Sequence, residues 1–221
     1  QDKVRTLFAT EGYYTNGPFI NDNRYFRFNG LAKMTMNPTS RSELSLTGSF
    51  LKSQWNASGE IPLRAVNDGT LDRFGAIDPS EGGKTTRATG RLNYHYDTTT
   101  GGTAFANLYA QSYRLDLLTN FTFFLNDPVN GDGIQQVDRR SVYGGDIGWR
   151  QSLDLLGMAS TATAGVQVRV DDIHARLGTQ TRRVPTGTTV DSDILEASYS
   201  PYVKLEFQPL SWMRLAGGVR G

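Results

Sequence analysis

The connectors between strand-like segments alternate in length along the whole chain, and this alternation of short and long connectors constrains the fold more than any other feature. Segments with a two-residue hydrophobic period are separated alternately by a few residues and by roughly ten to thirty residues. The short connectors lie near positions 38, 99, 156 and 209, and the long ones span 15–23, 54–83, 119–138 and 178–193. Consecutive hairpins with this rhythm place every long loop at one end of the sheet.

The two-residue period is clearest in two segments. Segment 24–37 carries Phe, Gly, Ala and Met on one face and mostly polar residues on the other, and segment 162–171 alternates Ala and Val with polar residues. Side chains of a strand point alternately to opposite faces, and no long segment keeps apolar residues at helical spacing. We therefore predict an all-β chain with about nine strands, at 4–14, 24–37, 44–51, 88–96, 103–118, 139–154, 162–171, 195–207 and from 212 onward.

Segregated loops and long strands favour part of a transmembrane antiparallel β-barrel of the bacterial outer membrane. Such barrels have short periplasmic turns, long extracellular loops and strands of about ten tilted residues that alternate apolar and polar side chains. Single-chain bacterial barrels have an even number of strands and no free edge, so nine strands predict a piece of a larger barrel. A soluble β-sandwich or a lectin-like solenoid is the alternative.

Charge and cysteine content exclude several functions. The chain has 23 Lys and Arg against 22 Asp and Glu, a net charge of +1, which does not indicate a nucleic-acid partner. The absence of cysteine removes disulfides, thiolate zinc sites and cysteine nucleophiles. A serine triad would require His95 or His174, and neither lies beside a suggestive motif. We predict no catalytic residues, no metal site and no cofactor.

Two loop strings resemble loops of the TonB-dependent receptors of proteobacterial outer membranes. The first is IPLRAV at 61–66, followed by LDRFGAIDP at 71–79 and EGG at 81–83. The second is NFTFFLNDPVNGD at 120–132, followed by QVDRR at 136–140. The order of strands and loops along the whole chain is similar to that family as well.

The resemblance implies a 22-stranded barrel with an N-terminal plug inside it. Residues 1–221 would then be a partial barrel domain of a longer polypeptide, with the plug domain not present in this segment. The implied function is active uptake of a scarce ligand, a ferric siderophore or other metal chelate, driven by TonB-ExbB-ExbD and proton motive force. The implied partners are outer-membrane lipid and lipopolysaccharide, TonB through the plug, and a small-molecule iron chelate. Rival interpretations are a passive porin-like barrel, an outer-membrane hydrolase and a secreted carbohydrate-binding sandwich.

Two sets of residues are candidates for function in such a receptor. Aromatic and charged residues of the long loops could line the mouth where the ligand enters. These are Trp55, Arg64, Arg73, Phe74, Phe121, Phe123, Phe124 and Asp127. Polar and basic residues on one face of the strands could hydrate the lumen and contact the plug. These are Arg27, Lys33, Arg91, Gln167 and Arg169.

Overall fold

The computed structural model describes residues 4–122 and 124–221. Within them the chain forms nine strands and one short helix, which confirms the all-β prediction and the strand order. The strands are β1 (Val4–Thr15), β2 (Tyr25–Thr39), β3 (Ser42–Asn56), β4 (Gly82–Asp97), β5 (Gly102–Thr119), β6 (Gly133–Leu155), β7 (Met158–Thr181), β8 (Val184–Leu210) and β9 (Met213–Arg220). The helix α1 (Leu63–Asn67) lies between β3 and β4.

The nine strands form one antiparallel meander in which each strand pairs with the next along the chain. The short connections are residues 40–41, 98–101, 156–157 and 211–212, all at one end of the sheet, as predicted. At the opposite end lie the connections 16–24, 57–81, 120–132 and 182–183. The first and last strands do not pair with each other in the described residues, so the sheet is open, as expected for part of a larger barrel.

The register gives the sheet two chemically different faces. On the outward face, side chains from neighbouring strands form apolar rows. One such row is Met34, Leu46, Leu92, Leu108, Gly145 and Val168. Among the described residues only Val142 and Ile173 are buried large apolar side chains, so this single sheet has no two-layer core. Its apolar side chains are instead exposed on one face, which is the arrangement of a barrel wall in lipid.

The fourth long connector is where the sequence prediction is wrong. Residues 178–181 and 184–193 are strand rather than loop, because β7 and β8 continue to a two-residue turn at Arg182 and Arg183. These strands have 24 and 27 residues, ~80–90 Å at the usual rise, far longer than a bilayer core of ~30 Å. The connectors predicted at 54–83 and 119–138 are also shorter, at 57–81 and 120–132. Polar residues extend the ladder here because the hydrogen bonds between strands are made by the backbone and require no apolar face.

The helical content of the described residues is small. Helix α1 has five residues and none of them is buried. In residues 4–122 and 124–221, no helix has the length and apolar character needed to cross a membrane.

Candidate functional site

The inward face of the sheet carries continuous polar rows. One row joins three of the predicted lumen residues through direct cross-strand pairing, in the order Lys33, Thr47, Arg91, Tyr109, Gly144 and Arg169. The adjacent row contains a fourth, and consists of Thr35, Ser45, Asn93, Asn107, Asp146, Gln167 and Ser200. The fifth, Arg27, lies on the same face of β2 as Lys33. All five predicted lumen residues therefore share one face.

Several charges of the inward face are paired and others are free. The Arg169 guanidinium donates two hydrogen bonds to the Asp171 carboxylate, at 2.6 and 2.7 Å, and Arg27 forms an ion pair with Glu11. Within the described part of the chain, neither Lys33 nor Arg91 forms an ion pair with a carboxylate. The inward face thus presents unneutralised positive charge near the middle of the strands.

The first and second long loops are joined where β3 ends. The Asn56 backbone N–H donates to the Asn23 carbonyl at 2.6 Å, and the Asn23 side-chain amide returns a hydrogen bond to the Asn56 carbonyl at 3.0 Å. The Asn21 side-chain amide donates to the carbonyls of Ala57 and Pro79, at 3.0 and 3.2 Å. Two asparagine side chains of the first long loop therefore donate hydrogen bonds to backbone carbonyls at the end of β3 and in the second long loop.

The third long loop joins the same network through a buried carboxylate. The Asn120 side-chain amide donates to Asp78 Oδ2 at 3.0 Å, and both side chains are buried. Asp78 also accepts hydrogen bonds from the Ser80 backbone N–H and hydroxyl. Because Asp78 belongs to the first loop string of the sequence and Asn120 opens the second, the two strings contact each other directly.

Glu81 is a buried acid at the centre of this network. Burial, together with the nearby Asp78 carboxylate, raises the pKa of Glu81 to about 7. The next residue, Gly82, has a φ of 145°, and a Cβ there would lie 2.2 Å from the Trp55 carbonyl oxygen. Only glycine fits at that position, which explains why the glutamate is followed by glycine.

Arg183 ties the β7–β8 turn to the same place. Its Nε donates to the Ser80 carbonyl at 2.7 Å, and its Nη2 donates to Asn56 Oδ1 at 2.7 Å and to the Glu81 carbonyl at 3.0 Å. We call these connected residues the loop base; they are Asn21, Asn23, Asn56, Asp78, Glu81, Asn120 and Arg183, with Glu81 joined through its backbone carbonyl. It links all four connections at the long-loop end.

Predicted mouth residues of the second long loop are mostly exposed. Arg64 lies in α1, and Arg73 and Phe74 lie after it. The Phe74 ring packs edge-on against Phe19 of the first long loop, with centroids 6.3 Å apart, and its carbonyl accepts a hydrogen bond from the Ile20 N–H. Phe74 therefore connects two loops while 46% of it stays exposed.

The mouth residues of the third long loop form a separate group. Phe121 is exposed, and the Phe124 ring lies against Gly131, where an added Cβ would come within 2.8 Å of it. The Asp127 carboxylate accepts hydrogen bonds from the backbone N–H groups of Val129 and Asn130, which lowers the pKa of Asp127. The Asp127 carboxylate therefore orders its own turn.

Phe123 lies outside the described residues. Trp55, near the end of β3, is partly buried, and its ring lies against Gly83. No aromatic pair in residues 4–122 and 124–221 joins Phe121 or Phe124 to Phe74. The predicted mouth residues that the structure describes thus lie at one end of the sheet, and the loop base connects the second long loop to the third.

The two histidines lie on opposite faces. His174 lies on the outward face of β7, where Nδ1 is 2.8 Å from Asp193 Oδ1. His95 lies on the inward face of β4, beside a groove that also contains Tyr202 and Asp146. In the described parts of the chain, no three His, Asp or Glu side chains are grouped as a metal site would require.

Sequence reasoning missed the loop base. Its asparagines and Arg183 lie in segments that look like ordinary polar loops, and their partners are mostly backbone carbonyls, which leave no sequence pattern. Two signals were present: the EGG string at 81–83 and the asparagine that opens the string at 120–132.

Comparison with known proteins reveals matches to solved structures. The ferric citrate transporter FecA matches with a TM-score of 0.81 and 11% identity over 99% of this chain and 32% of that chain. The outer-membrane ferripyoverdine receptor of Pseudomonas aeruginosa matches with a TM-score of 0.69 and 13% identity, over 99% and 33%. The ferric-catecholate import receptor Fiu of E. coli K12 matches with a TM-score of 0.68 and 14% identity, over 98% and 36%.

These matches establish the fold. The chain spans about a third of the length of the structures it matches, and its nine strands have the fold of one part of the barrel of TonB-dependent receptors. No family model matches the sequence, and no curated protein does either.

Proposed function

We propose that this chain forms part of the barrel wall of a TonB-dependent receptor in the outer membrane of a Gram-negative bacterium. The receptor takes up a ferric siderophore or another metal chelate, powered by TonB-ExbB-ExbD and proton motive force. The shared fold with receptors for ferric citrate, ferripyoverdine and ferric catecholates supports this proposal. The proposed activity is transport without covalent chemistry, and the proposed partners are TonB, the chelate and outer-membrane lipid.

The observation that carries the proposal is a charged, polar inward face below a set of joined long loops. Lys33 and Arg91 face the lumen without carboxylate partners in the described residues, so they favour anionic ligands. Polar rows beside them can hold water or donate hydrogen bonds to a plug. The loop base keeps the exposed Phe74 and Phe121 at one rim, where rigid aromatic rings can contact a chelate.

Energy dependence separates this proposal from a passive pore. The gene for the full-length polypeptide is deleted and restored in its host, and uptake of ⁵⁵Fe supplied as ferric citrate, a ferric catecholate and a ferric hydroxamate is measured. We expect at least one chelate to enter only in the restored strain, and to stop entering when TonB is removed or a protonophore is added. Uptake that persists without TonB would indicate a passive barrel and would refute the proposal.

The inward charges can be tested with a double reversal. Lys33→Glu with Arg91→Glu changes two side chains that hold no ion pair within residues 4–122 and 124–221, so no ion pair described there is lost. We expect chelate uptake to fall at least tenfold, because two new carboxylates would repel an anionic chelate and could not donate hydrogen bonds to a plug. The matched control, Lys33→Arg with Arg91→Lys, keeps both charges and should transport normally. Equal uptake by both double variants would exclude a role for these charges.

A further inference from the structure

A group of hydrogen-bond donors lies midway along the inward face, on β4 and β5. Three consecutive inward-facing positions of β4 pair directly with three of β5. We call these six residues the donor patch; they are Arg87, Thr89, Arg91, Tyr109, Gln111 and Tyr113. At the usual rise the patch extends ~13 Å along β4, and it begins ~17 Å along the strand from Gly82, the residue that follows the loop base. It therefore lies well inside the wall, away from the rim where the long loops meet.

The two arginines of the donor patch keep their charges free. Both side chains are exposed, and neither forms an ion pair in residues 4–122 and 124–221. Lys33 lies in the same cross-strand row as Arg91, two strands away, and has no ion-pair partner in those residues either. Three uncompensated positive charges are therefore close together on this part of the wall.

The remaining members of the donor patch add uncharged donors. The Thr89 hydroxyl donates to Gln111 Oε1 at 3.3 Å, so the oxygen of that amide is occupied and its N–H groups remain as donors. The Tyr109 ring lies over Gly144 of β6, where an added Cβ would collide with it. Because Tyr109 pairs with Arg91 and Tyr113 pairs with Arg87, each guanidinium has a phenol hydroxyl on the neighbouring strand.

The inward face around the donor patch is free of acids where the structure describes it. Of the inward-facing residues at 45–55 of β3, 83–95 of β4 and 105–117 of β5, none is Asp or Glu. The inward acids of β6 and β7 are engaged by other groups; the pairs are Asp138 with Arg140, Asp146 with the Tyr202 hydroxyl, and Asp171 with Arg169. Glu196 of β8 lies three strands from β5, ~14 Å away.

We propose that the donor patch binds an anionic ferric chelate, one with exposed carboxylate or catecholate oxygens, during its passage through the barrel. Such a chelate offers acceptors and negative charge, and a guanidinium can bind two oxygens of one anionic group at once. A hydroxamate chelate with a protonated amine would bring positive charge to a place that already holds three such charges. The inference rests on the proposed transport function and deepens it, because it fixes the charge of the cargo and adds a site inside the wall.

The first experiment tests the charge of the cargo. Uptake of ⁵⁵Fe is compared between the deleted and restored host strains for ferric citrate, a ferric tris(catecholate) and a ferric trihydroxamate that carries a protonated amine. We expect TonB-dependent uptake of at least one anionic chelate, and at least tenfold slower uptake of the trihydroxamate. TonB-dependent uptake of the trihydroxamate at the rate of the faster anionic chelate would overturn the donor patch and leave the proposed function standing. TonB-dependent uptake of none of the three would refute both.

The second experiment tests the donor patch with the anionic chelate that enters faster. Arg87→Gln with Arg91→Gln removes both charges, and we expect the maximal uptake rate to fall at least tenfold. Binding of the same chelate to cells treated with a protonophore should keep its dissociation constant within twofold, because the patch lies far below the rim. Arg87→Lys with Arg91→Lys keeps both charges and should transport within twofold of the wild-type rate. Tyr109→Phe with Tyr113→Phe removes two donors without changing any charge and should slow uptake severalfold.

A control variant and a permeability assay separate a chelate site from a contact with the plug. Lys52→Gln with Arg114→Gln removes two exposed charges from the outward face of the same region and should transport like the wild type. Heat-modifiable electrophoretic migration reports whether each variant is a folded barrel. A patch that held the plug would release it in the glutamine variant and admit vancomycin, which an intact outer membrane excludes, so we expect vancomycin susceptibility to stay at the wild-type level.

Three results would overturn the proposal while TonB-dependent uptake by the wild type still stands. The first is a wild-type uptake rate in the folded glutamine variant or in the phenylalanine variant. The second is an equal loss of uptake in the outward-face control. The third is greater vancomycin susceptibility of the glutamine variant, which would assign the donor patch to the plug.

Discussion

Replacement of Arg183 by alanine should loosen the second long loop without unfolding the barrel. The guanidinium donates three hydrogen bonds, to Ser80, Asn56 and Glu81, and these are its only tie to the loop base in the described chain. The backbone N–H of Arg183 also donates to Gln180 Oε1 at 2.6 Å, and this contact survives the substitution. The loss is therefore confined to the contact between the β7–β8 turn and the loop.

The size of the effect follows from those three contacts. Hydrogen bonds with a charged donor contribute about 1.5–3 kcal/mol each when buried, and the exposed position here favours about 1 kcal/mol each. Their loss should lower the free energy of local opening by about 3 kcal/mol, a change of roughly 100-fold in amide exchange protection. Hydrogen exchange with mass spectrometry on peptides covering 57–81 of the full-length protein measures it directly.

Arg182→Ala is the matched control. Arg182 and Arg183 occupy the same turn with φ values of 50° and 71°, so alanine at either position meets the same left-handed backbone. No hydrogen bond of the Arg182 side chain occurs among the described residues. We expect its exchange to stay within threefold of the wild type. Comparable protection of 57–81 in the two variants would refute the clamp role of Arg183.

Two other substitutions test the loop base and the wall. Since the pKa of Glu81 is raised to about 7 from 4.5, the folded loop base holds a proton that the unfolded chain releases. The stabilisation that this proton provides should be fully present below pH 4.5 and should be lost as the pH rises toward 7. Amide-exchange protection of residues 57–81, corrected for intrinsic exchange, should therefore decrease over that range in the wild type but not in Glu81→Gln. A Cβ at Gly148 would lie 2.6 Å from the Ala164 carbonyl, whereas one at Gly12 meets nothing within 4 Å. Gly148→Val should therefore lower unfolding free energy by about 1–3 kcal/mol and Gly12→Val should not; equal urea midpoints would contradict this.

Much of the strand arrangement could be predicted from the sequence because it depends on two local features, the two-residue side-chain period and the turn residues. A side-chain period of two needs no knowledge of distant residues, and it correctly placed Lys33, Arg91 and Arg169 on one face. Turn chemistry likewise identified short connections such as residues 40–41, which follow Asn37 and Pro38. The lateral alignment of those residues into rows required the register between strands.

The turn at Arg182 and Arg183 shows why other parts were not predictable. Two-residue hairpin turns with positive φ at both positions favour Asn and Gly, so two arginines give no turn signal. The polar segment 178–193 was therefore predicted as a loop. Hydrogen bonds from Arg183 to residues about a hundred positions away along the chain help to hold the turn in place of the usual turn residues. These hydrogen bonds form only in the folded molecule.

The sequence alone determined the strand order, the all-β class and the polarity of each face, since these follow from alternation within a strand and from turn residues beside it. Only the tertiary structure decided which side chains meet: Lys33 and Arg91 in one row across the inward face, and the loop base at the long-loop end. Each of these joins residues from separate strands or loops. Their positions depend on inter-strand register and on hydrogen bonds to backbone carbonyls, and neither leaves a local pattern in the chain.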